Sequence, residues 1–275
     1  MKLNPEQQKA VNHLNGPLLV LAGAGSGKTR VVTSRITHLI EIGILPRDIL
    51  AVTFTNKAAL EMRTRIEKAS KQNVLTCTFH SLGARILRES IQFLGYRNNF
   101  SIYDEEDSLK LLKSIFKEQK LDEKKVKNIR YMISSYKNNV IKPDEIIPAE
   151  FSEEENLLLK VYPLYQEKLK KCNAVDFDDL LFLPVLLFKQ NESVKNFYQT
   201  KWLFVLIDEY QDTNHAQYLL TKILVEKHKN LFAVGDPDQS IYSWRGAEYQ
   251  NILQFDRDFP DAEIIKLQHN YRSTS

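Results

Sequence analysis

Ala22-Gly23-Ala24-Gly25-Ser26-Gly27-Lys28-Thr29 stands between an apolar run, Leu18 to Leu21, and a helical pattern from Thr29 to Ile40. Its glycines permit backbone conformations in which consecutive N–H groups point inward around an anion. Lys28 adds a positive charge, and Thr29 adds a hydroxyl suited to Mg²⁺. A plain strand-to-helix turn is the alternative, and Ala22 stands where the usual pattern has glycine. The strand, loop and helix N-terminus together favour a nucleoside triphosphate site. It comprises Ala22, Gly23, Ala24, Gly25, Ser26, Gly27, Lys28, Thr29 and Arg30.

Short apolar runs alternate with helical patterns from Leu18 to about Tyr103, and again from Trp202 onward. Strands are predicted at 49–54, 74–79, 202–207, 231–234 and 264–267, and helices at 57–68, 81–94 and 216–227. This alternation predicts an α/β fold with a parallel sheet flanked by helices. From residue 105 to 171 the pattern is mostly helical, which predicts an inserted all-helical subdomain. The expected division is 1–108 and 191–275 for the α/β domain and 109–190 for the insertion.

Composition narrows the class of protein. The 275 residues are 43% hydrophobic with a net charge of +3, which neither demands nor excludes a nucleic-acid partner. Cys77 and Cys172 lie far apart, so neither a zinc site nor a disulfide framework is indicated. The N-terminus lacks a signal-peptide core, and the most apolar stretch, 180–188, is interrupted by Pro184 and predicts a buried helix. We expect a cytoplasmic protein with no membrane contact.

The predicted insertion carries a local excess of basic residues. Two interpretations stay open, a solvated helix surface and a phosphate-contacting surface. Between residues 110 and 142 only Glu118, Asp122 and Glu123 are acidic, against Lys110, Lys113, Lys117, Lys120, Lys124, Lys125, Lys127, Arg130, Lys137 and Lys142.

Acids at the end of a second apolar run complete a candidate hydrolysis site. The run 202–207 leads into Asp208-Glu209. Asp208 can hold Mg²⁺, and Glu209 can orient and deprotonate an attacking water. A helix cap is the alternative for such a pair, but the phosphate loop favours the catalytic interpretation. After the next predicted strand, Gln239 can reach the γ-phosphate or its water, because parallel strands end at one edge of the sheet.

An aromatic and basic cluster follows that strand. Tyr242, Trp244 and Arg245 lie in a polar, turn-like segment, which suits stacking on the bases of single-stranded nucleic acid. A core position for Trp244 is the alternative.

Taken in order, these segments resemble the UvrD/Rep/PcrA family of superfamily 1 DNA helicases over nearly the whole chain. Ser243 before Trp244, together with the insertion, is most similar to the Rep branch. The matching segments are Leu3-Asn4 with Gln7, 22–29, Thr53 to Ala59, Thr78 to Gly83, Asp176 to Leu180, Asp208 to Thr213, Gly235 to Ala247 and Asn270 to Ser273.

The resemblance implies a RecA-like P-loop NTPase fold, ATP with Mg²⁺, movement 3′ to 5′ along single-stranded DNA, and work at single-strand/duplex junctions in replication or repair. Gln7 would read the adenine edge, Tyr271 would stack on adenine, and Arg272 would contact the γ-phosphate. The residues that would line the DNA path or link it to the ATP site are Phe54, His80, Tyr242, Trp244 and Arg245.

A second motor domain is also expected from the family, because translocation requires two domains that close around ATP. The chain ends at Ser275, inside a family motif, so we expect an amino-terminal portion of a helicase with weak activity of its own. The alternatives are a standalone ATP- and DNA-binding module, the helicase part of a helicase–nuclease, and a small-molecule kinase. The Asp208-Glu209 pair speaks against the kinase.

Overall fold

The structure is a computed structural model, and it describes residues 3–23, 25–146, 152–236 and 255–267. The chain forms two compact units. The first combines residues 1–82 with 193–275, and the second comprises residues 83–192.

A six-stranded sheet forms the centre of the first unit, and every neighbouring pair of strands is parallel. Val20 lies beside Val234 and Val52 beside Ile207, so the carboxyl ends of these strands reach one edge. The α/β fold with a parallel sheet is therefore confirmed. Across the sheet the strands are β3 (Leu75–Thr78), β2 (Ile49–Thr53), β6 (Phe204–Ile207), β7 (Leu231–Gly235), β1 (Leu18–Ala22) and β8 (Glu263–Leu267).

Helices flank this sheet because their apolar residues recur at three- and four-residue spacing. In α2 (Lys28–Glu41), for example, Val32, Ile36 and Leu39 are fully buried in the core. The central strands β2, β6 and β7 are buried along their whole length, which accounts for their continuous apolar sequences. The helices are α1 (Pro5–Asn12), α2 (Lys28–Glu41), α3 (Asn56–Ser70), α9 (Glu192–Lys201), α10 (His215–Val225) and α11 (Phe255–Asp258).

Helix α4 (Phe79–Ser90) begins two residues before the predicted start at Ser81. The hydroxyl of Thr78 accepts a hydrogen bond from the backbone N–H of Ser81 at 3.2 Å, so Thr78 ends β3 and caps the helix directly. The helix starts in the first unit and continues into the second, where a 3₁₀ turn, Ile91–Leu94, follows it.

The second unit differs from the predicted insertion in two respects. It contains a two-stranded parallel sheet, β4 (Ser101–Tyr103) with β5 (Ala174–Asp176), and so is not entirely helical. Its boundaries fall at 82/83 and 192/193, not at 108/109 and 190/191, because β4 pairs within the second unit and α4 runs into it. Its other helices are α5 (Glu105–Glu118), α6 (Val126–Asn138), α7 (Glu153–Lys171) and α8 (Asp179–Gln190).

Helix α8 is buried along nearly its whole length despite Pro184, as predicted. It packs closely against α4 at Gly83, where an added Cβ would lie 1.7 Å from the carbonyl oxygen of Leu180. Only glycine fits there without a backbone shift. Within the described ranges, no helix has the length and apolar character needed to cross a membrane.

Candidate phosphate-binding site

The loop between β1 and α2 has the backbone of an anion site. Gly25 and Gly27 have φ angles of 76° and 86°, in the left-handed region that favours glycine. Ser26 fixes the turn, since its hydroxyl and its backbone N–H donate to the Gly23 carbonyl at 2.7 and 3.3 Å. Gly27 has no side chain to cap α2, so the first N–H groups of the helix are left for a ligand.

The Lys28 ammonium is held at the carboxyl edge of the sheet. It donates to the Ala22 carbonyl at 3.1 Å and to the Asp236 carboxylate at 3.2 Å. Asp236 directly follows β7 and is 1% exposed. No role was predicted for Asp236 from the sequence, although its place directly after the predicted strand at 231–234 and Gly235 was the available signal.

Asp208 and Thr29 provide neighbouring oxygen ligands. The Thr29 hydroxyl donates to the Asp208 carboxylate at 3.3 Å, and the backbone N–H of Glu209 donates to its other oxygen at 3.1 Å. Burial and the nearby Glu209 charge raise the pKa of Asp208 to about 7, against the effects of the Glu209 N–H, the Thr29 hydroxyl and Lys28. A hydroxyl beside a carboxylate fits Mg²⁺, which prefers oxygen ligands.

Glu209 has a φ angle of 56°, which is uncommon for a residue with a side chain. This conformation ends β6 and begins a 3₁₀ turn, Tyr210–Asp212. Gln211 in that turn donates from Nε2 to the Glu209 carboxylate at 2.9 Å and accepts the backbone N–H of Asp236 at 2.9 Å. Gln211 lies within the motif from Asp208 to Thr213, but its role was not predictable from the sequence, because its contacts depend on how β6 and β7 are aligned.

Gln7 supports the loop from α1. Its Nε2 donates to the Ser26 carbonyl at 2.9 Å, and its Oε1 accepts the backbone N–H of Asn4 at 3.1 Å in a capping box. The Gln7 amide also lies 3.2 Å from where a Cβ on Gly27 would stand. The structure thus gives Gln7 a loop-positioning contact, and its reading of the adenine edge stays a prediction.

Phe54 and His80 lie at the same edge of the sheet, beyond the ends of β2 and β3, and both are half-buried. Arg30, also half-buried, lies in the first turn of α2. The remaining predicted site residues lie outside the described residues: Ala24, Gln239, Tyr242, Trp244, Arg245, Tyr271 and Arg272.

The ten basic residues between positions 110 and 142 divide into three groups. Lys137 is fully buried and bound to Asp176 at 2.6 Å and Asp179 at 2.9 Å, so its assignment to a surface was wrong. Burial opposes the charged form, but the two carboxylates raise the pKa of Lys137 well above its usual value. Four others form exposed or partly exposed ion pairs: Lys110, Lys125, Arg130 and Lys142. Five are exposed and form no ion pair within the described part of the chain: Lys113, Lys117, Lys120, Lys124 and Lys127.

Comparison with known proteins gives consistent results. The family described as "UvrD/REP helicase N-terminal domain" matches residues 3–260. The chain is 49% identical to ATP-dependent DNA helicase PcrA of Bacillus subtilis over 99% of its length and 38% of the relative's. It is 46% identical to ATP-dependent DNA helicase Rep of Escherichia coli over 100% of its length and 42% of the relative's. The chain is also 49% identical to a probable DNA helicase II homolog of Rickettsia conorii, over 99% of its own length and 43% of the relative's. The chain therefore spans about two fifths of the length of these relatives.

Proposed function

Because the chain belongs to the UvrD/REP helicase family, we propose that it is the ATP-binding part of an ATP-dependent DNA helicase. The observation that carries the proposal is the convergence of Lys28, Thr29, Asp208 and Glu209 at one sheet edge. Movement 3′ to 5′ on single-stranded DNA, and completion of the site by a second motor domain, rest on the family resemblance and belong to the same proposal.

In the proposed reaction, Lys28 and the N–H groups at the start of α2 bind the β- and γ-phosphates. Thr29 and Asp208 would hold Mg²⁺, which when bound neutralises phosphate charge. Glu209 orients a water molecule and accepts its proton as the water oxygen attacks the γ-phosphorus. The bond from that phosphorus to the bridging oxygen breaks, giving ADP and phosphate. Asp208 must lose its proton to serve as a Mg²⁺ ligand, so we expect Mg²⁺ binding to strengthen as the pH rises through about 7.

Glu209→Gln tests the catalytic role. In the full-length protein this variant should bind ATP–Mg²⁺ as the parent does, measured with a fluorescent ATP analogue. Its DNA-stimulated phosphate release should fall by about 10²-fold or more. Glu67→Gln, on the exposed surface of α3, is the matched control and should keep parental turnover. Unchanged turnover in Glu209→Gln would remove Glu209 from the role of base.

Trp244→Ala tests the DNA contact. Loss of base stacking should weaken single-strand binding by about 1–3 kcal/mol, with little change in ATP affinity. Phe197→Ala is the control, because Phe197 is an exposed aromatic on α9, which precedes the amino end of β6. Equal oligonucleotide affinity for the Trp244→Ala variant and the parent would contradict the stacking role.

The unpaired lysines of the second unit are proposed to contact DNA phosphates. Lys113 and Lys117 lie four residues apart, on one side of α5, and Lys120 follows two residues after the helix ends. Replacing all three with Gln should reduce the slope of log K against log salt by about 2–3 on duplex DNA, at ~0.9 for each phosphate contact. Lys110→Gln removes a lysine already paired with Glu106 and serves as the control. An unchanged slope would mean that the three lysines lie on a solvated surface and do not contact DNA phosphates.

A further inference from the structure

The side-chain amide of Gln211 joins the ends of two strands at the candidate site. On one side it donates to the Glu209 carboxylate at 2.9 Å. On the other it accepts the backbone N–H of Asp236 at 2.9 Å. The Asp236 carboxylate in turn binds Lys28 at 3.2 Å. A continuous set of contacts thus runs from the carboxylate after β6 to the lysine of the phosphate loop.

We propose that Gln211 is a positioning residue that fixes the Glu209 carboxylate relative to the phosphate loop, and this inference rests on the proposed function. A neutral amide satisfies both contacts at once, because the Glu209 carboxylate needs a hydrogen-bond donor and the Asp236 N–H needs an acceptor. Gln211 is 1% exposed, so water cannot readily replace either bond.

The turn that carries Gln211 is itself well fixed. The Asp212 N–H donates to the Glu209 carbonyl at 3.0 Å, and Thr213 donates to the Tyr210 carbonyl through its hydroxyl at 2.7 Å. Tyr210 is buried, and its ring meets that of Phe255 edge to face at 5.8 Å. A support this rigid can hold a carboxylate within the small tolerance that proton abstraction requires.

The charges around Glu209 show why it needs such a support. Asp208 precedes it, Asp212 lies in the same turn, and Asp236 directly follows the neighbouring strand β7. Gln211 also makes a longer contact with the Asp212 carboxylate, at 3.4 Å. These carboxylates repel the Glu209 carboxylate and would turn its side chain away from the site. The hydrogen bond from the Gln211 amide counters that repulsion.

Gln211→Glu in the full-length protein tests the proposal. It keeps the acceptor for the Asp236 N–H but replaces the amide donor to Glu209 with a carboxyl group. When ionised, this group repels the Glu209 carboxylate, and when protonated it shares its proton with Glu209 and occupies the oxygen that would accept the proton of water. We expect kcat for DNA-stimulated ATP hydrolysis to fall about 100-fold, the loss typical of a misplaced catalytic group, while ATP affinity changes less than twofold. In a Glu209→Gln background the same substitution should cause no further loss, because Gln211 acts through Glu209.

Gln217→Glu is the matched control. Gln217 is also buried, and its side-chain oxygen accepts the Asn214 N–H at 3.0 Å in the capping box of α10, where Glu serves equally well. It should keep parental kcat. Gln211→Met is a second variant, which removes both bonds without adding charge and carries the test should Gln211→Glu fail to fold. It too should lower kcat more than it weakens ATP binding.

The outcomes separate this inference from the proposed function. Parental kcat in Gln211→Glu, with Glu209→Gln inactive, would overturn the positioning role and leave the base in place. If Gln211→Glu lowered kcat by the same factor in the parent and in the Glu209→Gln background, the positioning role would also be overturned. A parent that hydrolyses no ATP, or a Glu209→Gln variant that turns over normally, would refute the proposed function, and the inference would fall with it.

Discussion

Replacing Asp208 with Asn should stabilise the first unit, and the gain should depend on pH. Burial and the charge of Glu209 raise the pKa of Asp208 from 3.8 to about 7. A shift of one pKa unit corresponds to 1.36 kcal/mol of free energy. Ionisation of Asp208 therefore destabilises the folded state by about 4 kcal/mol relative to the unfolded state. Asn has nearly the same shape and still accepts the Glu209 N–H, so the substitution removes the charge and preserves the contact.

The direction of the pH dependence follows from proton binding. The pKa of Asp208 is higher in the folded state than in the unfolded state, so between about pH 4 and pH 7 the folded state binds more protons. The stability contributed by this group therefore falls as the pH rises. The gap in unfolding free energy between Asp208→Asn and the parent should be below about 1 kcal/mol at pH 4, grow through pH 7 and level off near 4 kcal/mol at pH 8.

Urea titrations followed by tryptophan fluorescence measure this gap, without Mg²⁺ or nucleotide. Both tryptophans, Trp202 and Trp244, belong to the first unit, so the signal reports its unfolding. With a urea m-value of about 2–3 kcal/mol/M, the midpoint at pH 8 should rise by more than ~1 M. Asp261→Asn, at an exposed site of the same unit, is the control and should give a small gap at every pH. A gap that stays constant from pH 5 to pH 8 would refute the reasoning.

Two predictions concern the second unit, and hydrogen exchange of peptides from residues 83–192 measures both. Lys137→Met strands the carboxylates of Asp176 and Asp179 in the interior and should destabilise the unit by about 3–5 kcal/mol, whereas protection equal to the parent's would mean that water reaches them. Gly83→Ala forces apart α4 and the carbonyl of Leu180 and should cost about 1–3 kcal/mol, and an unchanged exchange pattern would contradict the close packing.

The parts of the site made by consecutive residues were predictable from the sequence. The loop at 22–29 could be predicted from its glycines and from the strand and helix on either side. In the structure, Gly25 and Gly27 adopt the left-handed conformation, as expected for a loop whose N–H groups point inward around an anion. Thr29 and Asp208 were also both predicted as Mg²⁺ ligands, because parallel strands end at one edge of the sheet. The direct hydrogen bond between them was not predicted.

Contacts between distant residues were not predictable in this way. Lys28 and Asp236 are 208 positions apart, and their pairing depends on β1 and β7 being neighbours. The surface position predicted for Lys137 was wrong, because a local excess of basic residues does not show which side of a helix each residue occupies. Lys137 follows Ile129 and Ile133 at four-residue intervals on the buried side of α6, and that spacing was the available signal for its burial.

The family motifs also contain residues that serve packing as well as chemistry. Gly83 ends one motif quoted from the sequence, and its role in the structure is the close approach of α8. Asp176 and Asp179 belong to another, and they neutralise Lys137 inside the second unit. A motif match therefore identifies the family without identifying which of its residues touch a ligand.

The charge balance at the sheet edge explains several of these features together. Asp208, Glu209 and Asp236 bring three carboxyl groups to a region that Lys28 alone neutralises within the described contacts. Asp236 takes Lys28 as its partner, while Asp208 is left buried with a pKa raised to about 7. Without a cation, ionised Asp208 opposes folding. A bound Mg²⁺ would reverse that effect, since it favours the ionised carboxylate by direct contact. Asp208, proposed as a ligand of a metal–nucleotide complex, therefore reduces the stability of the fold that holds it, as expected where binding groups are assembled before their ligand arrives.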